Sequence, residues 1–472
     1  MFEILLSHTA EHPLYIQIYT QIRNHIRSGV IRHGTRLPST RSLQQQLNIS
    51  KTPIEMAFQM LSSEGFIVSK PRSGLYVADP YQHEAPVQTS EDLRQQQVSI
   101  PPLFPSNPSI QIDFNPVGVD NEAFPLRMWR KTLNESIENH SIYIHKYGNP
   151  QGEYALRAVL AEYLKTSRGV SCSPEQVVIG SGFAYCMGLI TQLLKGIGRI
   201  AYEEPGYDQG RELFLLNGFH VVPIPVGEYG ISLESLKASG AGAVYVTPSH
   251  QLPTGGSMPY TKRENLLDWA NSNGAYIIED DYDGEFRYIG KPLPSLQSLD
   301  RLGRVIYMGT FSKVFTPAIR MNYMVLPLEL TLRLGELLHM LNAPSRLEQW
   351  AMTAWIEQGH WYRHIRRMRN TYRKKRQRML ELITAHFANH VNIIGDSAGL
   401  HIRMELKTRV SADELIKRAA MFGVKVYDLR NAWMNWVEPE FPVIYLGFAG
   451  MRETDMEEGI VRLQTAWANV WS

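Results

Sequence analysis

Lys313 ends the run Gly309-Thr-Phe-Ser-Lys313, which follows the apolar stretch Val305-Ile-Tyr-Met308 and leads into Val-Phe-Thr-Pro-Ala-Ile-Arg320. A lysine just past a buried strand, desolvated and near other cations, has a lowered pKa and can attack an aldehyde as a neutral amine. Ser312 and Arg320 add a hydroxyl and a bidentate guanidinium at short range, a combination suited to phosphate. A solvated loop lysine is the ordinary reading of any single Lys, and this setting argues against it.

The run Glu279-Asp-Asp-Tyr-Asp-Gly-Glu-Phe286 concentrates acids at the end of another apolar stretch. A carboxylate buried there is costly unless it meets a cation. Taken alone, the cluster leaves two cations open. One is the protonated nitrogen of a pyridine ring, held by Asp280, with Tyr282 on the ring's phenolic oxygen. The other is a divalent metal held by Asp280, Asp281, Asp283 and Glu285. Beside an aldehyde-seeking Lys313 the pyridine is favoured, and no metal is expected. A third stretch, Gly180-Ser181-Gly182-Phe183-Ala184, is a Gly/Ser turn whose backbone N–H groups can cradle phosphate. Most such turns are only turns. Together the three suit pyridoxal 5'-phosphate (PLP).

These residues need elements to position them. From about residue 113 the sequence alternates apolar runs (Val177–Ile179, Ala243–Val246, Tyr276–Ile278, Val305–Met308) with helical periods. That alternation predicts a mostly parallel sheet between helices, with chemistry at the carboxyl ends of its strands. Residues 79–112 hold six prolines and a Gln95-Gln-Gln97 run, and read as a flexible linker. Ahead of it, Leu14, Ile18, Ile22 and Ile26 mark one helix, and a short helix runs toward Leu47. Ser50 is placed to cap a third, which carries Ile54, Phe58 and Leu61. Phe66–Val68 and Leu75–Val77 form a hairpin through Lys70-Pro-Arg-Ser-Gly74.

Three helices and a hairpin make the winged-helix plan, and its polar residues suit DNA. Arg36, Ser39, Thr40, Arg41, Ser50, Lys51 and Thr52 surround the inner helix N-termini, with Lys51, Thr52 and Glu55 opening the helix that would enter the major groove. Lys70, Arg72 and Gly74 mark the wing tip. Charge alone is a weak signal, with eight Arg/Lys against five Asp/Glu over residues 1–80.

Leu-Pro-Ser-Thr-Arg-Ser-Leu43, Asn48-Ile-Ser-Lys-Thr-Pro53, Leu61-Ser-Ser-Glu-Gly-Phe66 and Arg72-Ser-Gly-Leu-Tyr-Val77 resemble the GntR-type winged-helix signature. Thr247-Pro-Ser-His-Gln-Leu-Pro-Thr-Gly255, Glu279–Tyr288, Gly309–Lys313, Ser397-Ala-Gly-Leu-His401 and Leu446-Gly-Phe-Ala-Gly450 resemble the aminotransferase-like domain of the MocR subfamily of GntR regulators. The resemblance spans almost the whole chain. It implies a multidomain fold: a small α+β winged helix-turn-helix at 1–78, the linker, and a large α/β domain at 113–472 of the type I aminotransferase fold. It also implies that Lys313 forms the internal aldimine with PLP, Asp280 pairs with the pyridine nitrogen, Tyr282 faces the phenolic oxygen, and Ser312 and Arg320 hold phosphate. A domain-swapped homodimer on paired or repeated DNA half-sites is implied as well.

Two positions depart from working aminotransferases. Leu252 stands where an asparagine usually precedes Pro-Thr-Gly, and Tyr445 where an arginine usually clamps the substrate carboxylate. The expectation is therefore a regulator that senses an amino compound through PLP and is not an enzyme. An active aminotransferase with an accessory DNA-binding domain, or a sensor of PLP itself, stays open. Arg430 or Arg211 is a candidate for an effector's acidic group, or each is a surface salt-bridge residue. Arg363–Arg378, with nine Arg/Lys in sixteen residues, predicts an amphipathic helix whose cationic face is solvated or lies along DNA. Cys172 and Cys186 lack metal or disulfide spacing, and neither a leader nor an 18-residue apolar span is evident. A cytoplasmic location is expected.

Overall fold

The computed structural model describes residues 4–7, 12–71, 73–78, 110–288, 294–337, 341–394 and 398–471. The chain divides into two compact units, 1–105 and 106–472.

In the first unit, α1 (Leu14–Arg27), α2 (Thr40–Leu47) and α3 (Lys51–Ser63) close over a core that includes Ile18, Ile22, Leu43, Ile54, Phe58 and Leu61. The Ser39 hydroxyl accepts from the Ser42 N–H at 3.2 Å and starts α2. Asn48 ends it in the left-handed region, φ 51°. Ser50 occupies the N-cap position of α3, but its side chain accepts no hydrogen bond. One of the two usual donors is missing, since the third residue of the helix is Pro53, which has no N–H. Strands β1 (Ile67–Lys70) and β2 (Gly74–Val77) pair antiparallel, Ile67 opposite Val77 and Lys70 opposite Gly74.

The second unit starts slightly earlier than the sequence suggested. Its β3 (Ile112–Asp113) pairs in parallel with β14 (Val424–Lys425), and Ile112 is buried in the core. The last residues of the expected linker thus belong to the domain, because pairing and burial fix them. Its remainder, 79–109, lies outside the described residues.

The main sheet has eight strands in the order β4 (Val177–Gly180), β11 (Asn322–Val325), β10 (Val305–Thr310), β9 (Tyr276–Asp280), β8 (Ala243–Val246), β5 (Arg199–Glu204), β6 (His220–Gly227) and β7 (Gly230–Ile231). The run β10-β9-β8-β5-β6 is parallel. Only β11, against β10 and β4, and the edge strand β7 run antiparallel to their neighbours. Every residue of β4, β8, β9 and β11 is buried, as apolar runs without alternation require. A smaller antiparallel sheet orders β12 (Val391–Ile394), β13 (His401–Leu406) and β15 (Val443–Gly447).

The predicted basic helix is real and longer, His360–Phe387, with Ile365, Met368, Tyr372 and Met379 buried. Its cations divide. Lys375 pairs with Asp120 at 2.5 Å and Arg378 is ringed by Glu381, Glu453 and Glu457, whereas Arg366, Arg373 and Lys374 stand in solvent. Among the described residues no helix is long and apolar enough to cross a membrane.

Candidate functional site

The carboxyl ends of β4, β8, β9 and β10 open onto one cleft of about 900 Å³, lined in part by Thr247, Asp280, Tyr282, Thr310, Ser312, Lys313 and Arg320. After β10 the chain turns on itself: the Ser312 N–H donates to the Thr310 hydroxyl at 3.0 Å, which donates to Asn322 Oδ1 at 3.2 Å. That turn presents Lys313, whose Nζ donates to the Val117 carbonyl at 2.9 Å. Burial pushes its ε-amine down to about 8, opposed by the Asp283 carboxylate.

Arg320 lies in the left-handed region at φ 47°, uncommon for a residue with a side chain. The backbone there lays its guanidinium against Gly182, the residue that starts the helix Phe183–Leu193. Gly182 itself has φ 116°, and a Cβ on it would fall 2.4 Å from Arg320 Nη2. Free N–H groups at a helix start and a forked cation over a bare glycine form an anion cradle. Gly182→Ala is expected to displace the guanidinium. It should weaken retention of a phosphorylated cofactor on the order of tenfold, the scale of one charge-assisted hydrogen bond. Equilibrium dialysis would check this.

Asp280 ends β9 and accepts a hydrogen bond from the Tyr245 hydroxyl, whose ring stacks on Tyr202 at 4.7 Å. Burial pushes its carboxyl up to about 7; the Tyr245 bond pulls the other way, and Asp281 and Asp283 add to the rise. A buried acid so perturbed is suited to a cation entering from the cleft, and a protonated ring nitrogen fits it. Next along, the Tyr282 hydroxyl meets His250 Nδ1 at 3.0 Å, and the same nitrogen meets Asp283 Oδ2 at 2.7 Å. If the His250 proton goes to Asp283, the Tyr282 hydroxyl keeps its own proton for the cleft. Gly399 makes room for this pair, since a Cβ there would fall 2.1 Å from the His250 ring. His401 stands 5.8 Å from His250, ring to ring, and is held neutral: burial, His250 and Lys313 push it down to about 3.

The acids that could have shared a metal go to different partners. Asp281 takes Arg168 at 2.6 Å and the Tyr307 hydroxyl at 2.7 Å, Asp283 takes His250, and Glu285 takes the Tyr163 hydroxyl at 3.0 Å. Among the described residues no group of three or more His, Cys, Asp or Glu is placed to hold a metal.

Lys313, Asp280, Tyr282, Ser312, Arg320 and Phe183 thus line one cleft, with Gly182 under Arg320. Ser181 and Ala184 flank that helix start and are exposed. Leu252 lines the cleft; Tyr445 is buried, its ring edge-on to His401 at 5.8 Å. The effector arginines are engaged elsewhere. Arg430 pairs with Asp413 at 2.7 Å and Asp428 at 2.5 Å. Arg211 donates to the carbonyls of Asn431 at 2.9 Å and Ala432 at 3.4 Å. Both brace the wall formed by Asp428, Asn431 and Ala432 without lining the cleft themselves.

Sequence reasoning missed Tyr207, which lines the cleft edge-on to Phe183 at 5.0 Å, along with Tyr245 and the His250–Asp283 pair. Tyr207 had a signal, an aromatic in a Pro-Gly turn after a buried strand. Tyr245 had none, being one apolar-run residue among several.

In the first unit, Arg36, Ser39, Arg41, Ser50, Lys51, Thr52, Lys70 and Gly74 are exposed and Thr40 half-buried. Lys51 pairs with Glu55 at 2.7 Å, Lys70 lies 4.7 Å over the Tyr76 ring, and Arg36 rests on Gly74. Arg72 lies outside the described residues.

Comparison with known proteins matches both units. Residues 14–77 match the bacterial regulatory proteins of the gntR family, and residues 109–463 match aminotransferase class I and II. The chain is 40% identical over 471 residues, 98% of each chain, to the uncharacterized HTH-type transcriptional regulator YdeL of Bacillus subtilis. It is 33% identical over 482 residues, 98% of this chain and 96% of the other, to the probable rhizopine catabolism regulatory protein MocR of Rhizobium meliloti. Among solved structures, LysN, an α-aminoadipate aminotransferase of Thermus thermophilus in complex with N-(5'-phosphopyridoxyl)-L-leucine, superposes with a TM-score of 0.67. That match has 27% identity and covers 76% of this chain and 92% of that one.

Proposed function

Because this chain belongs to the MocR subfamily of GntR-type regulators, we propose that its large domain senses an amino compound through bound PLP and adjusts how the winged helix acts on DNA. It is a DNA-binding transcription regulator with an aminotransferase-like domain, and that fold implies use of PLP. The observation that carries the sensing reading is the convergence of Lys313, Asp280 and the Arg320–Gly182 cradle on one cleft.

Bound there, PLP supplies an aldehyde carbon that a primary amine can take over from a lysine. Arg320, Ser312 and the N–H groups after Gly182 would hold the phosphate. Asp280 would hold a proton at the ring nitrogen, and Tyr282 would offer its hydroxyl to the phenolic oxygen. Lys313 would be the amine that holds the aldehyde, and its present partner, the Val117 carbonyl, belongs to the segment 115–119 that lines the same cleft, so that segment would feel whether the ε-amine is free. A ligand can shift a conformational equilibrium only through such a difference in contacts. Leu252 and Tyr445, in place of the residues that tune and clamp a transamination substrate, favour sensing over turnover. The regulator works as a homodimer in the cytoplasm on paired half-sites. Exposed Ile142, Ile144 and Tyr147 support a second copy as partner.

The test is purified protein supplied with PLP, titrated with amino compounds while promoter footprint, visible spectrum and keto-acid product are followed. A footprint that changes with the spectrum, without sustained product, supports sensing. Continuous keto-acid release with an unchanged footprint would reject it.

A further inference from the structure

The cations of the helix His360–Phe387 sort into two kinds. One kind is engaged within the domain: Lys375 with Asp120, Arg378 with three glutamates, Arg369 with the Glu285 carbonyl at 2.9 Å and Arg367 with the Ala123 carbonyl. The other kind is not. Among the described residues Arg366 and Lys374 have neither hydrogen bond nor ion pair, and Arg373 donates only to the Asn370 side-chain oxygen at 3.1 Å. By helical spacing, positions 366, 370, 373, 374 and 377 form one stripe, and all are exposed. No Asp or Glu occurs between Glu357 and Glu381 to neutralise it.

The helix gains nothing from so many like charges. Arg363 and Arg367, and Arg369 and Arg373, stand four residues apart, where like charges destabilise. A stripe kept basic at that cost is matched to a polyanion. At 1.5 Å per residue, Arg366 to Lys374 spans about 12 Å, the length of three to four nucleotides of one DNA strand at about 3.4 Å each. Asn370 and Gln377 add uncharged donors of the types that also meet phosphate oxygens. Residues 14–77 of the same chain match a family of DNA-binding regulators, so a duplex bound there is tethered to the stripe at a raised effective concentration.

We propose that the stripe formed by Arg366, Asn370, Arg373 and Lys374 is a second DNA contact, carried by the aminotransferase-like domain itself. It grips the phosphate backbone of the duplex flanking the site that the winged helix reads. Such a contact carries no sequence information; it lengthens the DNA held and steepens the dependence of affinity on salt. The proposal rests on the DNA-binding role of the first unit and is independent of the sensing of an amine.

The experiment compares the full-length parent with Arg366→Gln/Arg373→Gln/Lys374→Gln on two duplexes from the promoter that the chain protects. One is trimmed until sequence-specific binding just survives, and the other keeps its flanks. Affinity is measured from about 50 to about 200 mM salt. On the flanked duplex the slope of log K against log salt should be shallower in the variant by about 2.7, three phosphates at about 0.9 each, or twice that where both copies of a dimer touch DNA. The protected segment should shorten. On the trimmed duplex parent and variant should agree. All three side chains are exposed, and thermal melts check that the variant folds; should it not, Lys374→Gln alone should lower the slope by about 0.9. Equal slopes on the flanked duplex, or a parent that gains nothing from the flanks, overturn the proposal. So does a variant that keeps its DNA slope but loses retention on vesicles of anionic lipid, which would assign the stripe to a membrane surface. A parent that fails to bind the trimmed duplex overturns the DNA-binding reading as well, and that failure is seen before any variant is compared.

Discussion

Lys313→Ala protein supplied with PLP is expected to show no visible band near roughly 420 nm, where the parent should absorb. The ε-amine is the attacking group, and among the described residues no other amine lines the cleft. The parent's reactivity should also follow pH in a particular way. With the amine pushed down to about 8 from 10.5, roughly a tenth of it is neutral at pH 7, some 300-fold more than for an ordinary lysine. The rate of band formation should rise about tenfold per pH unit up to about 8 and level off above it. Stopped-flow absorbance across pH 6–10 checks both statements. A band retained in the Ala variant, or a rate still climbing at pH 10, would remove Lys313 from this role. Affinity for bare DNA should be nearly unchanged in the variant, because the gntR-type domain belongs to the other unit.

Asp280→Asn is expected to move stability and cofactor retention in opposite directions. Its carboxyl ionises at about 7 in the fold against 3.8 in an exposed acid. The folded state therefore favours the protonated form, and the empty protein loses stability as pH rises from 3.8 through about 7. The full penalty above that range is up to roughly 4 kcal/mol. A neutral amide removes it, so the empty variant should melt several degrees above the parent at pH 8 and at the same temperature at pH 4. The same amide cannot balance a protonated ring nitrogen, so the variant should release PLP on dialysis. Thermal melts at the two pH values and the spectrum after dialysis measure this. A variant that keeps the cofactor, or melts no higher at pH 8, contradicts the assignment of Asp280.

The elements that hold the site were legible because their signals are local. Apolar runs without alternation gave β4, β8, β9 and β10, and the chemistry falls where parallel strands end. Lys313, Asp280 and Arg320 could be named because each sits a few residues beyond such a run. What stayed hidden depends on residues brought together from far apart in the chain. His250 meets Asp283 across 33 positions, and Gly399 admits it from more than a hundred positions further on. The cluster Asp280–Glu285 looked like a shared acidic site because the sequence records proximity without direction. In the structure, successive side chains turn to different sides of the loop, and each finds its own partner. Arg430 and Arg211 stayed open between ligand group and salt-bridge residue for the same reason. Only the fold shows that their partners are Asp413, Asp428 and two backbone carbonyls. The weakened cap at Ser50 was readable in principle, since Pro53 removes one of its two usual donors.

The twist of the chain at position 320 carries a cost whether or not an anion is present. Left-handed backbone at a residue with a Cβ is worth on the order of 1–2 kcal/mol of instability, which glycine would escape. A glycine at 320 would thus relieve the loop and leave the cradle without its guanidinium. The fold accepts this cost to hold the Arg320 guanidinium against Gly182. The corner is thus set before any anion arrives, and a phosphate that enters meets a guanidinium already in place over the bare glycine at 182.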